Sequence, residues 1–189
     1  MADPLSERTV ERRVIHTGGY LTFRIDTIED PDGRRHTREI VVHPGAVAIV
    51  ALDGDDLLMV RQFRTPAGRV LLEIPAGTLD RGSEGHPEQA DVAAARELEE
   101  ETGYRAGRWR RLGSFFSAPG FATEELTLYL AQDLRAVEDY PGPAPDERLQ
   151  LVRVPWRRAL EMADAGELGD AKTLVGIFWL SRLADAGEL

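Results

Sequence analysis

Much of the first 80 residues alternates between apolar and polar positions or runs through short apolar stretches, as β-strands do. Residues 21–27 alternate, Pro31-Asp32-Gly33 signals a turn, and residues 39–42 are rich in β-branched side chains, which together predict an antiparallel β-hairpin. Short apolar runs separated by turn residues predict further strands at residues 46–52, 57–63, 70–74, 126–130 and 149–154.

Three segments have the spacing of helices. Residues 87–102 carry a proline in the first turn, are rich in alanine and glutamate, and are followed by Gly103 as a C-cap. Residues 156–165 and 171–183 predict two more helices. The apolar face of the first helix is predicted to consist of Val92, Ala95, Leu98 and Thr102. Strands outnumber helices in a mixed order, which favours an α+β fold over a doubly wound parallel sheet.

Composition narrows the class of protein. The 189 residues are 42% hydrophobic and 30% charged, with a net charge of −10. Nucleic acids and anionic membranes require a basic surface, so we expect neither as a partner. The chain has no cysteine, which excludes disulfides, thiolate nucleophiles and Cys-based metal sites, and it has no apolar stretch long enough to span a membrane. We therefore expect a cytoplasmic protein.

The acidic residues are concentrated in one segment. Residues 84–104 hold seven carboxylates and one arginine. On the predicted helix, Glu97, Glu100 and Glu101 are spaced i, i+3 and i+4, so they share one face and repel one another. Carboxylates at this spacing suit Mg²⁺ or Mn²⁺, which bind through a few oxygen ligands together with waters and phosphates. A solvated acidic face is the alternative interpretation.

Fixed spacings around these glutamates carry a resemblance to a known family. The positions concerned are Gly82, Glu88, Arg96, Glu97, Leu98, Glu100, Glu101, Gly103 and Tyr104. They resemble the Nudix box at every fixed position. The relatives that contain Glu-Ile-Pro-Ala-Gly usually begin the box at that glycine, whereas here Gly77 lies five residues too early. Gly77 can be the structural equivalent after a lengthened loop, which leaves the first box glutamate open between Glu84 and Glu88.

The resemblance implies a Nudix fold, in which a mixed β-sheet lies between α-helices, and cleavage of nucleoside diphosphates linked to another group. It implies that Glu97 and Glu101 hold Mg²⁺ or, in its place, Mn²⁺. It also implies that Glu100 assists as a further ligand or catalytic group, and that Arg96 orients a neighbouring carboxylate. A cluster of carboxylates with Mg²⁺ suits this chemistry, because pyrophosphate hydrolysis requires the phosphate charges to be neutralised and a water to be activated.

Segments outside the box resemble the ADP-ribose pyrophosphatase subgroup. They are residues 60–64, 72–77 and 117–124, with Pro119 lying 15 residues beyond Tyr104. The resemblance implies Mg²⁺-dependent hydrolysis of ADP-ribose to AMP and ribose 5-phosphate. It implies roles for five more residues: a metal-ligating carbonyl on Ala76, substrate contacts at Arg64, Glu73 and Gly120, and a water-activating base or metal ligand at Glu124.

Each of these roles has a structural alternative. Arg64 can be an exposed arginine at a strand end, and Glu73 can pair with an arginine in the sheet. Ala76-Gly77 can be only a turn. Glu124 can be a cap, with Glu125 as the functional residue.

The same resemblance implies a homodimer. Residues 1–43 would be a dimer-forming β extension and residues 44–189 the hydrolase domain. Leu21, Arg38 and Glu39 would then be candidates for contacts to the base of the substrate. Two other functions remain open: hydrolysis of another nucleoside diphosphate derivative such as a nucleotide sugar, and a sensor that binds ADP-ribose without cleaving it.

Overall fold

The computed structural model describes residues 3, 5–80, 88–143 and 148–189. Gly82 and Glu84 therefore lie outside the described residues. Backbone contacts divide the chain into two compact units. The first unit consists of residues 1–45 and 116–125, and the second of residues 46–115 and 126–189.

The first unit contains a three-stranded antiparallel sheet in the order β1-β2-β3. Its strands are β1 (Arg8–Thr17), β2 (Thr22–Glu29) and β3 (Arg35–Val42). The predicted hairpin corresponds to β2 and β3. Strand β1 was not predicted, because almost every one of its side chains is exposed and no alternation marks it. Within the same unit the Val41 amide donates to the Phe121 carbonyl at 2.8 Å, which ties residues 116–125 to β3.

The second unit is built on a seven-stranded mixed sheet. Its strands are β4 (Ala46–Asp53), β5 (Asp56–Arg64), β6 (Arg69–Glu73), β7 (Ala76–Thr78), β8 (Tyr104–Phe116), β9 (Glu125–Ala136) and β10 (Leu149–Pro155). The main path runs β10-β5-β4-β9-β8, with β6 beside β5 and β7 beside β4. β4 and β9 are parallel, whereas β5 pairs antiparallel with β4, β6 and β10.

Three helices cover the two faces of this sheet. They are α1 (Ala90–Thr102), α2 (Trp156–Asp164) and α3 (Ala171–Asp185). Side chains of β4 alternate between two buried clusters: Val47 and Ile49 pack with α1, and Ala48 and Val50 pack with α2 and α3. A strand covered on both faces is apolar throughout, which explains the uninterrupted run in β4. The predicted α+β arrangement of a mixed sheet between helices is present.

Helix α1 ends as predicted, at a glycine in the left-handed region. Gly103 has φ 73°, and its amide donates to the Glu99 carbonyl at 2.9 Å. The helix begins at Ala90, whereas the sequence predicted residue 87 as its start, and Pro87 lies outside the described residues. Among the described residues, no helix has both the length and the apolar character needed to span a bilayer.

Candidate metal and substrate site

Helix α1 buries two glutamates on the same side as its apolar residues. Ala93, Ala94 and Leu98 are fully buried, and Glu97 and Glu101 are only 8% and 6% exposed. An ionised carboxylate removed from water is strongly destabilised unless hydrogen bonds or a cation compensate its charge. Burial of two glutamates one helical turn apart therefore indicates a specific purpose for this face.

The predicted apolar face of α1 is only partly correct. Leu98 and Thr102 are buried, but Val92 is 55% exposed and Ala95 is also exposed. The helix contacts β4 and β7 through its smaller alanines, which allow close approach to the sheet. This orientation turns the glutamates inward.

Strand β7 lies against the two glutamates. The Ala76 amide donates to Glu101 Oε2 at 3.0 Å. Gly77 leaves room for Glu97, because a Cβ added at residue 77 would lie 1.8 Å from the Glu97 carboxyl carbon. Both carboxylates thus meet the Ala76–Gly77 backbone, which is part of a strand and not only a turn.

Arg96 connects three carboxylates of the box. Its guanidinium donates to Glu97 Oε1 at 2.7 Å, to Glu100 Oε2 at 2.9 Å and to both oxygens of Glu88 at 3.1 and 2.7 Å. The Glu88 hydrogen bond raises the pKa of Arg96 despite the opposing effect of burial. Reciprocally, the Arg96 hydrogen bonds lower the pKa of Glu88. Arg96 thus joins Glu88, Glu97 and the exposed Glu100 in one hydrogen-bonded network.

The donors in this region fit a magnesium ion better than a metal held entirely by protein. Across residues 5–80, 88–143 and 148–189, no three His, Asp or Glu side chains are grouped as a complete metal-binding set. Mg²⁺ requires less, since it usually binds through one or two carboxylates, substrate phosphates and waters. Glu97 and Glu101 beside the Ala76 backbone provide such a partial set of oxygen ligands, suitable for Mg²⁺ or Mn²⁺.

A second charged group lies on β5 and β6. Arg64 donates from Nε to Glu73 Oε1 at 2.8 Å and from Nη2 to Oε2 at 2.7 Å, so the two form a bidentate pair. Glu73 is 1% exposed, whereas the Arg64 side chain is 39% exposed. The hydrogen bonds that Arg64 donates to Glu73 raise the pKa of Arg64, and the nearby charges of Glu101 and Asp170 add to this effect. Glu73 thus pairs with an arginine in the sheet, and that arginine lies in the electrostatic field of Glu101, a candidate metal ligand.

The start of α3 completes this group with residues that the sequence did not point to. Lys172 Nζ donates to Glu73 Oε2 and, at 3.0 Å, to Asp170 Oδ2. Asp170 is the N-cap of α3 and accepts from the Thr173 amide at 3.0 Å. Thr173 Oγ1 in turn accepts from the Ile74 amide at 2.9 Å. A helix cap pattern was the one local signal that could have drawn attention to Asp170.

The remaining predicted residues lie in the first unit. Glu124 accepts from Ser117 Oγ at 2.5 Å, and its other carboxylate oxygen lies 3.4 Å from His43 Nε2. The Gly45 amide donates to His43 Nδ1, so Nε2 is the nitrogen that carries the proton toward Glu124. Glu124 is therefore an oriented acceptor, while Glu125 is an exposed residue at the start of β9.

Four predicted substrate contacts in this unit have weaker structural support. Arg38 pairs with Glu7 at 2.5 Å, and Glu39 is exposed on β3. Leu21 accepts a backbone hydrogen bond from Gly18 at 2.8 Å. A Cβ added at Gly120 meets no atom within 4 Å, so nothing within this unit requires glycine there.

Comparison with known proteins places the chain in a family. The NUDIX domain model matches residues 42–175. An ADP-ribose pyrophosphatase of Bacillus subtilis is 38% identical over 93% of both chains. A methanol dehydrogenase activator of Bacillus methanolicus is 37% identical over 95% of both chains. An ADP-ribose pyrophosphatase of Mycobacterium tuberculosis is 36% identical over 89% of this chain and 80% of its own.

A solved structure described as an ADP compounds hydrolase superposes with a TM-score of 0.79, covers 100% of both chains and is 23% identical. This likeness confirms the predicted fold. The match of the domain model and the identity to the three relatives confirm the resemblance on which the box assignment rests. The chain belongs to the NUDIX family of hydrolases.

Proposed function

We propose that the protein hydrolyses the pyrophosphate of ADP-ribose in a Mg²⁺-dependent reaction that yields AMP and ribose 5-phosphate. The observation that carries this proposal is the convergence of buried Glu97 and Glu101 on the Ala76–Gly77 backbone. The nearby arginine Arg64 supplies a positive charge suited to a phosphate. Two relatives named ADP-ribose pyrophosphatase support the choice of substrate.

The metal site would consist of Glu97, Glu101 and the Ala76 carbonyl, with Glu100 as an additional ligand. When bound, Mg²⁺ would neutralise charge on the pyrophosphate and favour ionisation of a water. Arg96 holds Glu97 and Glu100 in place through its hydrogen bonds, so it acts on the geometry of these carboxylates.

Substrate binding and proton transfer involve the other predicted residues. Arg64 would bind a phosphate oxygen, Glu73 orients Arg64, and Gly120 would allow the nucleotide to approach the backbone. Glu124 would accept the proton of the attacking water, a role suited to a carboxylate that is already an oriented acceptor. Glu125 is the alternative base.

In the reaction, the water oxygen forms a bond to one phosphorus as the bond from that phosphorus to the bridging oxygen breaks. The proton of the water passes to the carboxylate base, and the bridging oxygen leaves with the other phosphate. Hydrolysis in ¹⁸O-labelled water identifies the attacked phosphorus, because only one of the two products then carries the label.

We further propose that the protein is a cytoplasmic homodimer whose residues 1–43 form the dimer contact, next to a hydrolase domain of residues 44–189. The exposed side chains of β1 provide a surface for such a contact. Leu21, Arg38 and Glu39 would contact the base of a substrate bound across the dimer. A monomer in sedimentation velocity would contradict this part of the proposal.

The central test is incubation of the purified protein with ADP-ribose, with and without Mg²⁺, with the E101Q variant as a control. Release of AMP and ribose 5-phosphate that requires Mg²⁺ and Glu101 is the expected result. Faster cleavage of a nucleotide sugar would instead support the other pyrophosphatase function. Binding of ADP-ribose without any product would support the sensor.

A further inference from the structure

Lys172 is the only lysine among the 23 basic side chains of this protein. Its side chain is 11% exposed, and its ammonium group contacts the two carboxylates of Glu73 and Asp170. A buried ammonium is destabilised unless it is paired with a negative charge. Where two parallel hydrogen bonds to a buried carboxylate are needed, arginine is the usual residue. A compact, three-donor ammonium at this position therefore indicates a specific geometric role.

The geometry connects Lys172 to Arg64 through one carboxylate. Arg64 occupies both oxygens of Glu73, and Lys172 shares Oε2 with it. Because three donors act on two oxygens, the carboxylate plane cannot rotate without breaking a hydrogen bond. This fixes the guanidinium that Glu73 holds. Asp170, the cap of α3, fixes Lys172 in turn.

The contribution of Lys172 is geometric and not a gain of net charge. Arg64 and Lys172 face two carboxylates, those of Glu73 and Asp170, so the group is formally neutral. With the Glu73 carboxylate fixed, the exposed part of the Arg64 guanidinium is held in one orientation, in which its remaining N–H groups can donate to a phosphate.

We propose that Lys172 is a positioning residue that sets the orientation of Arg64 for an anionic phosphate. The inference rests on the proposed function, in that Arg64 is taken to bind the pyrophosphate of the substrate. Lys172 itself does not contact the substrate.

The test measures binding of ADP-ribose by calorimetry in EDTA, where no metal-dependent turnover occurs, for K172M, K172R, R64M and the double variant K172M/R64M. K172M is expected to weaken binding about tenfold, whereas K172R, which keeps a cationic donor, stays within about threefold of wild type. In the R64M background, K172M is expected to add nothing, because it acts through Arg64. With Mg²⁺, K172M should raise KM about tenfold and leave kcat within about twofold.

The control is R61M, which removes an exposed arginine from the same strand, where it donates to Gln150. It should bind ADP-ribose like wild type. If K172M does not fold by circular dichroism, K172Q replaces it, because glutamine keeps a donor without the charge.

If the losses of ADP-ribose affinity in K172M and R64M add up in the double variant, the role of Lys172 is overturned. Equal losses of affinity in K172R and K172M would overturn it as well. Either result with an active wild-type enzyme leaves the proposed function intact. Conversely, a wild type that binds but never cleaves ADP-ribose contradicts the proposed function. The comparison of the single and double variants in EDTA still decides the role of Lys172. A wild type that binds ADP-ribose neither in EDTA nor with Mg²⁺ overturns both.

Discussion

Arg96 holds Glu88 through two hydrogen bonds, from Nε to Oε1 at 3.1 Å and from Nη2 to Oε2 at 2.7 Å. The same guanidinium also donates to Glu97. Glu88 is thus connected through a single side chain to a buried candidate metal ligand. This contact is the one expected of the first glutamate of the box, and Glu84, the alternative, lies outside the described residues.

E88Q tests that relationship. Removing the charge weakens two of the hydrogen bonds that orient Arg96, so we expect a loss of kcat/KM of roughly 10- to 100-fold, as for other residues that orient metal ligands. E84Q is the matched comparison and should retain nearly full activity. Steady-state hydrolysis of ADP-ribose measures both, and the reverse order of effects would assign Glu84 instead.

The two buried glutamates should be the most sensitive positions of α1. We expect E97Q and E101Q each to lower kcat at least about 100-fold and to raise the Mg²⁺ concentration needed for half-maximal activity, because each replacement removes an anionic oxygen ligand. E99Q lies on the same helix, where Glu99 pairs with Arg105, and should behave like wild type. Normal turnover in E101Q would exclude the assigned metal site.

G77A tests the space that β7 leaves for Glu97. The added Cβ would lie 1.8 Å from the Glu97 carboxyl carbon, so the flexible carboxylate must swing away while the fold is retained. We expect about a 100-fold loss of activity with a nearly unchanged melting temperature. G19A, where an added Cβ meets nothing within 4 Å, is the control. A fully active G77A would show that Glu97 does not need its present position.

Glu73 should make stability depend on pH. Burial alone would raise its pKa, but the Arg64 hydrogen bonds and the Lys172 charge outweigh burial and lower the pKa below its ordinary value of 4.5. A lowered pKa in the folded protein means that Glu73 stabilises the fold fully above pH 4.5 and loses this effect as the pH falls through the folded-state pKa.

Urea unfolding of wild type and E73Q between pH 7 and pH 3 measures this dependence. At pH 7 E73Q should be less stable by roughly 1–3 kcal/mol, because it removes a carboxylate from the buried Lys172, which keeps Asp170, and from the partly exposed Arg64. The difference should shrink in acid, where wild-type Glu73 is also neutral. E161Q removes an exposed carboxylate from α2 and should change stability by less than about 0.5 kcal/mol. A constant difference between wild type and E73Q would contradict the lowered pKa.

Local patterns predicted most of the architecture and the shared helix face of Glu97 and Glu101, but not the burial of these glutamates. The spacing of Glu97 and Glu101 places them on one helix face regardless of context. Hydrophobicity alone favoured Val92 and Ala95 as the buried residues, yet the helix turns carboxylates inward. Burial of a carboxylate opposes the hydrophobic pattern, so the pattern could not predict it.

Two other features depend on partners that no local signal identifies. β1 is exposed on both faces and is held by backbone pairing to β2, so it has no apolar alternation. Lys172 and Thr173 contact Glu73 and Ile74, each across 99 residues of sequence. Only the folded sheet brings these segments together.

The sequence separation of 99 residues between Glu73 and Lys172 also separates the two residues in time while the chain is synthesised. At about 5–20 residues per second, the ribosome adds Lys172 roughly 5–20 s after Glu73. During this interval the nascent chain holds Arg64 and Glu73 without the α3 residues that fix them. A nascent chain that lacks α3 is thus expected to hold Arg64 and Glu73 less rigidly than the folded protein does.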